Sequence, residues 1–197
     1  MASPLAFILW HRAAPSVPET AYQAALEAFH TALKNAPPEG MVATESLGFD
    51  RLPWMESGAI VYQDWYLVRD FSALGVLNAA AVAGQRRDPH DAVATLSADG
   101  FGGVYALQAG DPLSPDNTVF HWLWKPPGRL TAHYLETLED TARRTGGSLW
   151  RRQLNLGIAP EYCLRCPAEV AAPGLIHVVQ PRHIKRFHPC GDRQPIQ

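Results

Sequence analysis

The sequence has little cysteine, little excess charge and no long hydrophobic run. Three cysteines in 197 residues, an odd number, do not make a disulfide framework. Seventeen Lys and Arg stand against nineteen Asp and Glu, a formal charge of −2. No basic field exists to hold a phosphate backbone, so nucleic acid is not an expected partner. The apolar stretch Leu5 to Trp10 has neither a basic segment ahead of it nor an obvious cleavage site after it. Phe71 to Ala83 is too short for a bilayer and carries Asn78 in its middle. No membrane partner and a cytoplasmic location are expected. A phosphate loop, a Rossmann glycine pattern, a nucleophile elbow and an HExxH motif are also missing. Those enzyme classes drop out, and no organic cofactor is expected.

What is present is a globular composition, 47% hydrophobic and 18% charged, with ample apolar material for a core. Alternation marks Ala6 to Arg12 as a strand. Ser16 and Glu19 have capping-box spacing, and Tyr22, Leu26, Phe29 and Leu33 then fall on one helical face until Pro37 and Pro38. Met41 to Phe49 and Ala59 to Val68 read as strands. Asp70 is placed to cap a helix over Phe71 to Ala83 that stops at Gly84. A short helical turn is expected at Asp88-Pro89, and Gly102 to Leu107 closes the unit as a strand. The order is β-α-β-β-α-β, a split βαβ arrangement.

Asp111 to Asn117, with two prolines, is the natural hinge. After it come a strand (Val119 to Lys125), a helix (Thr131 to Arg144) and three strands (Ser148 to Gly157, Glu161 to Cys166, Leu175 to Val179). Phe7 to Arg12 matches Phe120 to Lys125, Tyr22 and Leu26 match Tyr134 and Leu138, and Leu47-Gly48-Phe49 matches Leu156-Gly157-Ile158. The expected division is a ferredoxin-like half over 1–110, a truncated second half over 118–183 lacking a full second helix, and a tail over 184–197. In element order the chain resembles the dimeric α+β barrel superfamily, in which two ferredoxin-like units pack sheet against sheet. The resemblance implies an α+β barrel closed within one chain. Its members include cofactor-free monooxygenases, small-molecule isomerases and lyases, and haem-binding enzymes, so fold leaves function open. Each unit would cover one sheet face with helices and leave the other bare, and two bare faces closing together would enclose a pocket for a small, partly apolar molecule.

Several residues are candidates for that pocket. Tyr62, Asp64 and Tyr66 share one face of a strand, opposite Val61, Trp65 and Leu67. A mid-strand carboxylate is costly to bury, which suits either a proton acceptor with a raised pKa or a structural network around it. His90, next to Asp91 and near Arg86 and Arg87, suits an acid/base group with an anion clamp, or ordinary helix-end charges. His11, Glu45 and His121 lie on strands that would line the pocket, as core residues, proton relays or haem ligands. Trp54, following Pro53, is the tryptophan most exposed to a ligand or partner in this reading.

Cys163-Leu164-Arg165-Cys166, with His177, His183, His188 and Cys190 beyond it, carries some of the residues of a zinc site. A single CxxC says little, and on a strand its two sulfurs point to opposite faces. The favoured expectation is a small-molecule enzyme or ligand binder, with Asp64 and His90 handling protons and Arg86 or Arg87 holding an anionic group. The alternatives are a non-catalytic association module, whose C-terminal segment Ile184 to Gln197 docks on a partner or a second copy as a homodimer, and a haem-binding barrel.

Overall fold

The computed structural model describes residues 3–55, 60–155 and 158–189. In chain order the elements are β1 (Leu5–Ala13), α1 (Glu19–Asn35), β2 (Met41–Phe49), β3 (Val61–Val68) and α2 (Phe71–Ala81). A 3-10 turn (Gly84–Arg86) leads to α3 (Arg87–Leu96) and β4 (Ser97–Ala109). Then follow β5 (Val119–Trp124), α4 (Thr131–Thr145), β6 (Ser148–Asn155), β7 (Tyr162–Cys166), β8 (Leu175–Val179) and β9 (His183–Phe187).

The α1 start departs from the expected capping box. The helix begins at Glu19 with Pro18 as its cap, and no side chain caps it. Proline disfavours helical backbone in the residue before it, so Val17 cannot open the helix and Ser16 lies too far back. Asp70 does cap α2, its carboxylate accepting the Ala73 N–H at 2.8 Å. The short turn expected at Asp88-Pro89 is a full ten-residue helix, α3.

Hydrogen bonds join the strands into one antiparallel sheet ordered β8-β5-β7-β6-β4-β1-β3-β2-β9. The block β4-β1-β3-β2 has ferredoxin-like order, and β8-β5-β7-β6 repeats that order with the next four strands. The blocks are stitched edge to edge by β4 and β6, from Gly103↔Asn155 to Ala109↔Leu149. The expected α+β barrel is thus present, built from one continuous sheet. β8 and β9 stand at its opposite ends, yet only residues 180–182 separate them. Such a link reaches roughly 10 Å, so the sheet curls until its ends nearly meet. β9 was not expected as a strand: Ile184 to Phe187 of the supposed tail pair with β2. Residues Cys190 to Gln197, like Leu156, Gly157 and Ala59, lie outside the described residues.

Alternation sorts the side chains. Ala6, Ile8 and Trp10 of β1, Val61, Trp65 and Leu67 of β3, and Phe120, Trp122 and Trp150 from the second block form one buried cluster with Trp54. The curled sheet thus closes on a packed interior shared by both blocks. On the other face of β1 and β3, Leu5, Tyr66 and Val68 pack under α1 and α2 against Phe29, Leu33 and Leu77.

Candidate active site

The residues with chemistry lie on that second, helix-covered face. Tyr62, Asp64 and Tyr66 point away from the interior, as does His11 of β1. This corrects the expected pocket between two bare sheet faces: tryptophans fill that space, and the open space is under the helices. One cavity of about 200 Å³ is bordered by His11, Asp64, Tyr66, His90, Ser97 and Asp99. An apolar one of about 500 Å³, walled in part by Phe7, Leu74, Leu77 and Val104, adjoins it through Leu9, Phe29, Tyr66 and His90.

Asp64 is the centre of the polar end. It is 1% exposed, and its Oδ2 lies 3.1 Å from His11 Nε2 and 3.2 Å from His30 Nε2. The Tyr66 hydroxyl donates to the same oxygen at 3.1 Å. Oδ1, the other oxygen, has no hydrogen-bond partner among the described residues. Burial alone raises the Asp64 pKa, but His30 and His11 outweigh it and hold the carboxyl far below the usual carboxylate range. This reverses the raised pKa expected from the sequence. Burial, reinforced by the same carboxylate, pushes the Tyr66 hydroxyl well up.

Each imidazole is fixed from its far side. His11 Nδ1 meets the Tyr22 hydroxyl at 2.7 Å, which meets Ser97 Oγ at 2.7 Å, and Ser97 Oγ donates to the Val93 carbonyl at 2.9 Å. A carbonyl only accepts. Satisfying all three contacts therefore requires Tyr22 O–H to donate to Ser97 and His11 Nδ1–H to donate to Tyr22. His11 Nε2 then carries a second proton as imidazolium, or faces the carboxylate bare. His30 Nδ1 contacts Thr44 Oγ1 at 2.7 Å. Burial raises the Tyr22 phenol above its ordinary value, so it stays protonated.

Of the residues singled out in the sequence, Asp64, His11, Tyr66 and His90 meet at the cavities. His90 stands where the two join, edge-on to Phe29, with Nδ1 2.9 Å from Asp91. Tyr62 stacks on His11 at 5.7 Å behind the cavity wall. The expected anion clamp is absent. Arg86 donates to the Ala80 and Ala36 carbonyls, both at 2.7 Å, and Arg87 to the Val82 carbonyl. These guanidiniums tie down helix ends, where free carbonyls attract them. Among the described residues, no Lys or Arg lines either cavity.

Trp54 packs in the interior against Trp10, Trp122 and Trp124. Glu45 also points inward, where Arg165 meets it at 2.5 Å. His121 engages both ring nitrogens, one at the Leu164 carbonyl and one accepting the Val170 N–H, which leaves neither for iron. Cys163 belongs to the interior cluster and Cys166 to the one under α4, so the sulfurs do face opposite ways. Cys190 is outside the described residues. No group of three His, Cys, Asp or Glu residues among the described residues is placed to hold a metal ion, and His188 borders a small hollow beside Arg186.

Sequence reasoning missed His30, Ser97 and Thr44. His30 was within reach, since it lies four residues after Leu26 on the buried helical face.

No family model matches the chain, and no curated protein does. Solved structures match in fold. An anthrone oxidase-like protein shares 10% identity at a TM-score of 0.58, covering 100% of this chain and 97% of its own. A candidate monooxygenase from Lactobacillus acidophilus NCFM shares 13% identity at a TM-score of 0.52, covering 93% and 91%. At such identities the likeness establishes the fold.

Proposed function

We propose that this chain is a small-molecule enzyme in which Asp64 and the two imidazoles against it act together as the proton acceptor for an uncharged, flat, apolar substrate held under α1, α2 and α3. The observation that carries this reading is Asp64 Oδ1, a buried carboxylate oxygen without a partner on the wall of a largely apolar cavity. Leaving a buried acceptor unpaired costs about 1–3 kcal/mol, more when charged, and groups left so are commonly functional. A substrate O–H or acidic C–H would satisfy it. The cavity lining, with no Lys or Arg among the described residues, suits a neutral molecule better than an anion.

A proton taken here would leave the substrate as its enolate, and would depart later with the oxygen released as water. An aromatic enolate formed this way is electron-rich enough to react directly with O2. One oxygen atom would then enter the substrate, the other would leave as water, and the substrate itself would supply the electrons. The names of the two fold relatives, anthrone oxidase-like and candidate monooxygenase, favour such chemistry.

The test uses anthrone as probe in air-saturated buffer, with quinone formation followed by absorbance against the spontaneous rate. The wild type should accelerate it, and Asp64→Asn should lose about 10²–10⁴-fold, the usual worth of a general base. Equal rates for the two would remove Asp64 from this role.

A second reading, a non-catalytic association module, draws support from α2. That helix contains no charged residue and leaves Phe71 and Val76 exposed, with Val82 just beyond its end. It predicts unchanged association in Asp64→Asn and no turnover in either protein.

A further inference from the structure

We propose that one end of the barrel binds a single small monovalent anion of the halide class. The place is the gap between β2, β9 and residues 112–114, on the interior side of the sheet and apart from the Asp64 cavities. Its main residue is Arg165 of β7, 2% exposed, whose guanidinium carbon lies 4.8 Å from the Trp65 ring centre and 4.7 Å from that of Phe120. Nη1 donates to Glu45 Oε1 at 2.5 Å, and Nη2 to the Asn117 carbonyl at 3.2 Å. Arg186 of β9 donates from Nε to the other Glu45 oxygen at 3.2 Å.

Two guanidiniums thus share one carboxylate, a surplus of one positive charge. Arg165 Nε and Arg186 Nη2, and close by both the amide nitrogen and the oxygen of the Asn117 side chain, are buried with no partner among the described residues. Beside them is a hollow of about 10 Å³ bordered by Thr44, Ser114, Arg165, Arg186 and His188. That is room for about one water-sized occupant. Water would satisfy donors but leave the surplus charge to be balanced only by the aromatic faces around Arg165 and by solvent at the partly exposed Arg186. A halide answers both needs, while phosphate or sulfate is too large for the space. By bridging Arg165 and Arg186, the ion would fasten the closing strand β9 to the second block.

The experiment is the ³⁵Cl NMR linewidth of chloride in the presence of the full chain. Broadening above that of the free ion is expected, removed by competing bromide and lost in Arg186→Gln, whose partly exposed side chain can change without emptying the core. Arg182→Gln, at an exposed arginine nearby, should keep it. A wild-type crystal soaked in bromide gives a second readout that needs no variant, with an anomalous peak expected between Arg165 and Arg186. Broadening equal in wild type and a folded Arg186→Gln, or a hollow without an anomalous peak, overturns the proposal.

Discussion

His30 and Asp64 meet at 3.2 Å with both side chains closed off from solvent. The imidazole lies flat between the rings of Tyr66, 5.4 Å away, and Phe187, 5.1 Å away. Phe187 belongs to β9, so the strand that closes the sheet also forms the back wall of the polar site. His11 borders the cavity, whereas His30 stands behind the carboxylate and supplies charge without facing a ligand.

Removing that charge while keeping the ring stack separates the two contributions. His30→Phe should retain the aromatic sandwich and leave Asp64 with one imidazole in place of two. Breaking a buried pair by deleting one partner costs about 3–5 kcal/mol. Urea denaturation at neutral pH should show a loss of that order. A loss below about 1 kcal/mol would mean that His30 acts only by packing.

Acid should weaken the fold through Asp64 in a defined window. Its folded pKa is depressed, so its contribution is present above the unfolded value, about 3.9, and disappears as pH falls toward the folded one. The stability gap between wild type and Asp64→Asn should therefore be full at about pH 5 and narrow steadily below about pH 4. Denaturation curves at several pH values measure it. A gap independent of pH would show that the carboxylate is not held by charge.

Arg86 and Arg87 should behave as structural residues of unequal weight. Arg86 ties the carbonyl of Ala80 in α2 to that of Ala36 at the end of α1. Arg86→Ala should cost about 2 kcal/mol, the scale of charged hydrogen bonds. The exposed Arg87→Ala should change stability by less than about 0.5 kcal/mol. Neither should alter the affinity for 1-naphthol measured by calorimetry. A weakened affinity in Arg87→Ala would restore the anion-clamp role.

Much of this was legible in the residues. Strand alternation set Asp64 and its tyrosines opposite Trp65, and helix spacing put Tyr22 and Phe29 on the buried side of α1. Periodicity says which residues share a face, however, and leaves open what covers that face. The tryptophans Trp10, Trp65 and Trp122 are large enough to fill the barrel, which leaves the space under the smaller side chains of α2 open. β9 was hidden because His183 to Phe187 is short and charged, and pairs with β2 across more than 130 residues of sequence. The pairing of Glu45 with Arg165 is of the same kind: no local pattern announces it. Arginine near a helix end, as in Arg86, fits a clamp and a cap equally well until the carbonyls are located.

The central claim is that ligands enter the space beneath α1, α2 and α3 beside Asp64, and leave the tryptophan-filled interior alone. Titration with 1-naphthol, followed by two-dimensional NMR of methyl and indole groups, tests it directly. The account predicts shifts at Leu9, Leu74, Leu77 and Val104, with the Trp65 and Trp122 indoles unmoved. Shifts confined to those indoles, or none at all, would contradict it.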